Sequence, residues 1–255
     1  MAESIAGFYD ELAASYHLIF EDWDAAIDRQ ARRIDSLLRT VIPSWPLRIL
    51  DCACGIGTQS LGLAALGHRV SASDLSTGAV ERARREAALR GLTIPFSVSD
   101  MTSLREVPES GFDAVIAMDN ALPHLSTAQL RRAAAAIRSK LRPGGLFIAS
   151  MRDYDALIQE KPIIQKPVFY GAPGSRRIVH QVWDWVTETS YVLHVYITLE
   201  SEQGWEARHF VSHYRCLQRE ELSRILADAG FHPIRWLMPP ESGSNQSIVL
   251  ARRPG

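Results

Sequence analysis

The chain lacks any run of 18 apolar residues, the least that crosses a bilayer as a helix, so no membrane span is expected. It also lacks an excess of either charge. Its 255 residues carry 28 Lys and Arg against 29 Asp and Glu, a formal net charge of −1, and no basic face for nucleic acid is expected. Cysteine is scarce. Cys52, Cys54 and Cys216 are the only three, which suits neither a disulfide framework nor a zinc quartet, and no metal is assigned. The polar start Met1-Ala2-Glu3-Ser4 has none of the basic and apolar character of a secretory signal. A cytoplasmic, reducing compartment is therefore expected.

What is present is ordinary for a folded protein, 46% hydrophobic and 22% charged. A chain of this size buries about 73% of its unfolded surface. That is enough for one large domain, or one domain with a long insertion.

Residues 1–46 read as a helical segment. Trp23, Ile27, Ile34, Leu38 and Val41 recur at the spacing of one helix face. Gln30 falls on the same stripe, either as a satisfied buried amide or as a group facing a ligand. Pro43 and Pro46 end the segment. Residues 47–151 alternate strand and helix: strands at Leu47–Cys52, His68–Ser73, Thr93–Val98, Phe112–Met118 and Leu146–Met151, with helices between. Ser76 is placed to cap one helix, and Arg142-Pro143-Gly144-Gly145 to stop another. This alternation predicts a doubly wound α/β domain with a parallel sheet.

The order changes over 152–216. A loop rich in Pro and Gly precedes three strand-like runs, Ile178–Val186, Tyr191–Glu200 and Trp205–Tyr214. In the second, Tyr191, Leu193, Val195, Ile197 and Leu199 share one face, with Val192, His194, Tyr196, Thr198 and Glu200 on the other. That predicts an antiparallel sheet inserted as a cap, with one face buried. Residues 217–255 add a helix and two strands that complete the core.

The stretch Asp51-Cys52-Ala53-Cys54-Gly55-Ile56-Gly57 sits between first strand and first helix, where small residues let a ligand approach the backbone. Asp74 ends the second strand, placed to accept hydrogen bonds from a ribose diol. A dinucleotide fingerprint would need a third glycine, and the order here is Gly55-Ile56-Gly57-Thr58-Gln59-Ser60. Asp51 would repel a pyrophosphate and suits a positively charged ligand group, such as the amino group of a methionine moiety. An NAD-dependent oxidoreductase is thereby disfavoured.

These residues resemble class I S-adenosylmethionine-dependent methyltransferases, of the Rossmann-like fold. Asp51–Gly57 looks like the cofactor loop, with Ala53 in place of the commoner first glycine, and Asp74 like the ribose acid. Asp100-Met101 resembles the pair that meets adenine. The closer resemblance is to the glycine/sarcosine N-methyltransferase-like branch, which also has alanine at the first glycine position. It rests on Met118-Asp119-Asn120-Ala121-Leu122-Pro123-His124-Leu125 and on Arg152-Asp153-Tyr154-Asp155. The resemblance implies S-adenosyl-L-methionine as cofactor, with S-adenosyl-L-homocysteine as product, held by Tyr16, Trp23, Gln30, Asp51, Ala53, Gly55, Gly57, Asp74, Leu75, Asp100, Met101 and Met118. It implies a small-molecule acceptor bound by Arg152 and Tyr154, and the ring-rich cap adds Tyr170 and Tyr196 as candidates.

A sulfonium methyl is already electrophilic, so the protein has mainly to align a nucleophile and exclude water. An alkyl amine of pKa near ~10.4 costs about 4–5 kcal/mol to deprotonate at pH 7. Asn120 is placed to position such an amine, and His124 serves either as its base or as a packing group. Arg152 offers a planar fork for a carboxylate. The cap rings Tyr170, Trp183, Trp185, Tyr191, Tyr196 and Trp205 form either a cage for a methylated ammonium or the core of the inserted sheet. The preferred expectation is N-methylation of an amine that carries a carboxylate. Its rivals are an O-methyltransferase on a natural-product hydroxyl or carboxyl, and a cofactor-binding partner subunit without catalysis.

Overall fold

The computed structural model describes residues 4–255, so Met1–Glu3 of the polar start lie outside it. Chain order runs α1 (Ile5–Leu12), a 3-10 turn (Tyr16–Ile19), α2 (Trp23–Arg39), β1 (Arg48–Asp51), α3 (Thr58–Ala65), β2 (Arg69–Asp74), α4 (Thr77–Leu89), β3 (Phe96–Val98) and β4 (Phe112–Ala117). A second 3-10 turn (Leu122–His124) leads to α5 (Thr127–Lys140) and β5 (Leu141–Met151). Then come α6 (Tyr154–Glu160), β6 (Ile164–Tyr170), β7 (Arg177–Thr187), β8 (Ser190–Ser201) and β9 (Gly204–Arg215). The chain finishes with α7 (Arg219–Asp228), β10 (Ile234–Leu237), a short α8 (Pro239–Ser242) and β11 (Ser247–Arg252).

Seven strands form one sheet in the order β3-β2-β1-β4-β5-β11-β10. β1 through β5 are parallel, and β11 pairs antiparallel with both β5 and β10. The buried strands are short and apolar, Ile49, Leu50, Ala114, Val115 and Ile116 having no exposed surface, as a sheet covered on both faces requires. Helix starts follow local chemistry. Asp22 accepts from the Ala25 amide at 2.9 Å, Ser76 from that of Ala79 at 2.9 Å, and Ser126 forms a reciprocal box with Gln129. Gly57 starts α3 at φ +94°, where a Cβ would press on Leu61 and Ala83 at 3.2–3.3 Å.

Two expectations are corrected. β5 begins at Leu141, which pairs with Phe112 before a register shift, so residues 142–145 bulge within the strand instead of leaving the sheet. After residue 151 the expected loop holds α6 and β6. Pro167 falls at β6's own register shift, between Gln165 and Val168, a place where an edge strand tolerates a missing donor.

The second sheet has the order β6-β7-β8-β9, all antiparallel. Its inner face, including Trp183, Tyr191, Leu193, Val195 and Tyr214, is buried in the same core as Leu50 and Phe147 of the large sheet. Trp183, Tyr191 and Tyr214 stack nearly parallel, with centroids 4.7 and 5.6 Å apart in turn. Trp205 lies apart, 47% exposed. The stacked rings of Trp183, Tyr191 and Tyr214 are sheet core.

The N-terminal segment is tied to both sheets. Asp10 accepts from the Ser76 hydroxyl at 2.6 Å and the Gly78 amide at 2.8 Å, on the first turn of α4. The Arg177 guanidinium donates to the carbonyls of Leu18 at 2.9 Å and Glu21 at 2.8 Å.

Candidate active site

β1, β2, β4 and β5 end together at Asp51, Asp74, Ala117 and Met151, and two adjoining cavities open beyond these carboxyl ends, the usual ligand crevice of such sheets. The smaller, about 90 Å³, is lined by Ala53, Gly55, Asp74, Leu75, Asp100 and Met101, and by Tyr9, Tyr16 and His124. Gly55 turns at φ +51°, and a Cβ there would come 3.5 Å from the Tyr16 ring. Asp74 accepts from the Gly55 amide at 2.8 Å and from the Ser76 amide at 2.9 Å. Burial pushes its carboxyl above the ordinary carboxylate value, and these two donors oppose that.

Asp51 does not face this space. It is 1% exposed, and its carboxylate accepts from the Ser60 hydroxyl at 2.7 Å beneath the loop. Burial raises its pKa to about 7. The acid that does face ligand space is Asp119, which lines both cavities. Asp119 and Asn120 follow β4 at φ +54° and +70°, a costly conformation for non-glycine residues that concentrates at functional sites. Gln59 donates through Nε2 to Asp119 Oδ2 and to Gln30 Oε1, each at 2.7 Å. Gln30 is thus both a satisfied amide and a cavity wall. The sequence signal for Asp119 is an acid at the end of the strand beside β1, as Asp74 is at the end of β2.

The larger cavity, about 930 Å³, lies between the N-terminal segment, the carboxyl ends of β4 and β5, and the inner face of the cap. Arg152 sits at its floor. The guanidinium donates to Gln181 Oε1 at 2.9 Å and to the Tyr191 hydroxyl at 3.3 Å, and its carbon lies 4.6 Å from the Trp183 ring centroid. No carboxylate pairs with it among the described residues; Asp153 and Asp155 are held instead by Arg219, at 2.6 and 3.2 Å. Trp183 also lines the cavity, and its buried indole N–H has no partner among the described residues.

Asn120 is fixed from behind. Its Oδ1 accepts from the Arg152 amide at 3.1 Å and its Nδ2 donates to the Tyr154 hydroxyl at 2.8 Å. Tyr154 has no exposed surface and lines neither cavity; it orients Asn120 and does not reach substrate space. Tyr170 lines the larger cavity, with Arg177 5.0 Å over its ring. Tyr196 points the other way. It stands on the outer face of β8, between the rings of His180 at 4.9 Å and His209 at 4.4 Å. Trp23 is structural too: it donates to Thr58 Oγ1 at 2.9 Å, joins α2 to α3, and lines neither cavity. Gly57 shapes the loop from outside both cavities, whereas Met118 lines both.

His124 lines the smaller cavity only. Its Nδ1 donates to the His213 carbonyl at 3.3 Å, which leaves Nε2 to accept from the Tyr9 hydroxyl at 2.9 Å. Burial lowers its pKa to about 4. Tyr9, in turn, lines both cavities.

Residues 49–145 match a family model described as "Methyltransferase domain". With the sheet order and the glycine loop, the match marks residues 49–145 as similar to the methyltransferase domains of the class that uses S-adenosylmethionine. Within that class the chain is similar to a ubiquinone biosynthesis O-methyltransferase of Methylocella silvestris, 39% identical over 108 residues, 42% of this chain and 41% of that protein. It is also similar to a glycine/sarcosine N-methyltransferase of Parasynechococcus marenigrum, 33% identical over 141 residues, 54% of this chain and 50% of that one. The chain thus spans half the length of these relatives or less. The amino pentose methyltransferase CalS10 of Micromonospora echinaspora shares the fold, with TM-score 0.75, 18% identity, and coverage of 94% of this chain and 95% of that one. No helix among the described residues is long and apolar enough to cross a membrane.

Proposed function

We propose that the protein transfers the methyl group of S-adenosylmethionine to the amine of a small molecule that also carries a carboxylate. The observation that carries this reading is Arg152, a half-buried guanidinium facing a cavity with no carboxylate partner among the described residues. A charge partly removed from water without a counter-ion is costly, and an incoming carboxylate meets it with two charge-assisted hydrogen bonds. The partnerless indole N–H of Trp183 is a further donor in the same wall.

The site fits the cofactor by its own chemistry. The Gly55 turn leaves room for close approach to the backbone, Asp74 retains lone pairs beyond its two amide donors, and Asp119 is a half-buried acid that accepts from Gln59. Asp119 suits the ammonium of a methionine moiety, the role first expected of Asp51.

When bound, S-adenosylmethionine supplies a methyl carbon on a sulfonium. Arg152 fixes the acceptor's carboxylate, and Asn120, locked by Tyr154, shapes the space beside it. Tyr9 and Tyr16 line both cavities and exclude water where they join. The acceptor's amine enters neutral, its proton left to bulk water, because a water-poor cavity disfavours the ammonium. Its lone pair would bond to the methyl carbon that a bound cofactor supplies, whose sulfur would leave with the C–S electron pair. With a pKa of about 4, His124 is too weak a base for an amine near ~10.4; its role is to hold Tyr9.

A second reading, O-methylation, is favoured by the name of the 39% identical relative. Incubation with S-adenosylmethionine labelled in the methyl group with ¹³C, over a panel of amino and hydroxy carboxylates, tests both. An N-methyl carbon resonance supports the proposal, an O-methyl resonance the second reading, and no product from any acceptor counts against both.

A further inference from the structure

The larger cavity does not match the smallest amino acids. Its volume, about 930 Å³, would hold about thirty waters at liquid density and lies near the top of the range that encloses drug-sized ligands. A cofactor's methionine end beside Asp119 and Gln30 would take part of it. An amino acid with no side chain, seated on Arg152, would leave most of the rest to water.

The walls say what fills it. Arg152, Gln181 and Asn120 meet at the floor, and Arg29, Arg33, Glu160 and Gln165 line other parts of the cavity. Above them the inner face of the cap is apolar: Val179, Leu193 and Val195 are at most 7% exposed yet line the cavity. Val168 and Leu157 continue that wall, and Ile164, 50% exposed, carries it outward. A charged floor beside an apolar cap face is complementary to an amphipathic molecule held by its carboxylate.

We infer that the acceptor is a bulky amphipathic amino carboxylate, whose carboxylate pairs with Arg152 and whose apolar body lies along the cap sheet toward Ile164. Glycine-sized acceptors are poor ligands of this site. The inference rests on the methyltransferase reading and extends it to a substrate class.

The test is a calorimetric titration of the full-length protein saturated with S-adenosylhomocysteine, using straight-chain α-amino acids from glycine through norvaline to 2-aminooctanoate. Binding of S-adenosylhomocysteine is read first, and its absence overturns the methyltransferase reading together with this inference. With the nucleoside bound, affinity is expected to rise roughly three- to fourfold per added methylene, the return on burying one. The variant V195W, which fills the wall, should cut the affinity for 2-aminooctanoate at least tenfold. If that variant does not fold, the ladder on the native protein decides alone. A flat ladder, or one on which glycine binds best, overturns the inference and leaves the methyltransferase reading standing.

Discussion

The guanidinium carbon of Arg152 lies 4.6 Å from the centroid of the Trp183 ring, with the Tyr191 hydroxyl and Gln181 holding its nitrogens. Stacked on one face and pinned at its edge, the fork is oriented before any ligand arrives, and little side-chain entropy is left to lose on binding. The Lys161–Glu188 pair, exposed at the surface, illustrates the contrast: a screened pair of that kind contributes little.

Arg152→Lys therefore tests carboxylate recognition. Lysine keeps the charge and loses the fork and the stacking plane. The KM for an amino-carboxylate acceptor should rise at least about tenfold, the loss of one hydrogen bond to a charged group, with S-adenosylhomocysteine affinity essentially unchanged. Steady-state kinetics beside calorimetry separates the two. An equal loss of both affinities would place Arg152 in the cofactor site instead.

Asp119→Asn removes a charge and keeps an oxygen for Gln59 Nε2. If Asp119 holds the cofactor's ammonium, S-adenosylhomocysteine binding should weaken about 10- to 100-fold, as a charge-assisted hydrogen bond predicts. Methylthioadenosine, which has no amino acid portion, should bind as before. An unchanged preference between the two nucleosides removes Asp119 from that role.

His124→Ala probes the contact with Tyr9. A residue that holds Tyr9 predicts a fall in kcat of the same size across pH 6–9, matched by Tyr9→Phe and no worse in the double variant. Recovery in His124→Gln, which can still accept a hydrogen bond, completes the pattern. A loss that grows as the pH falls toward 6, with no rescue by Gln, would instead reveal a base.

Asp51 gives the fold a pH dependence of defined sign. Burial lifts its carboxyl from 3.8 to about 7, so the native state holds a proton that the unfolded chain releases between those values. The stability this supplies is complete below about pH 4 and is lost as the pH rises through about 7. Asp51→Asn should flatten that part of the profile, the native protein falling behind the variant at pH 9 by at most about 4 kcal/mol. Parallel denaturant titrations at pH 5 and pH 9 measure it, and an unchanged slope would mean Asp51 is ionised throughout.

Much of the fold is legible in the chain because the central strands are buried on both faces and read as apolar runs, while Ser76 and Ser126 mark helix starts. β6 is not legible. Its first four residues are exposed, and Pro167 breaks the ladder that defines a strand. The site divides the same way. Asp74, Gly55, Asp100 and Arg152 line cavities at strand ends, where chain order alone puts them. Asp51 misleads because it sits one residue too early, on the buried side of the loop. Tyr196 fails by parity, since the alternation that turns Leu193 and Val195 inward turns it outward. Tyr154 is two residues from Arg152 but begins α6, whose first turn buries it under Asn120. Asp119 goes unnoticed beside Asn120 because its importance lies in the two cavities it joins, which only packing creates.

The proposed function requires the crevice above β1 and β2 to bind the adenosyl cofactor through Asp74. The direct measurement is calorimetric titration of S-adenosylhomocysteine into the native protein and into Asp74→Ala, with NAD as the comparison ligand. One site per chain is expected for S-adenosylhomocysteine, at least about tenfold weaker in the variant because a carboxylate acceptor to the ribose is lost, and no heat with NAD. Equal binding to both proteins, or a site that takes only NAD, would contradict it.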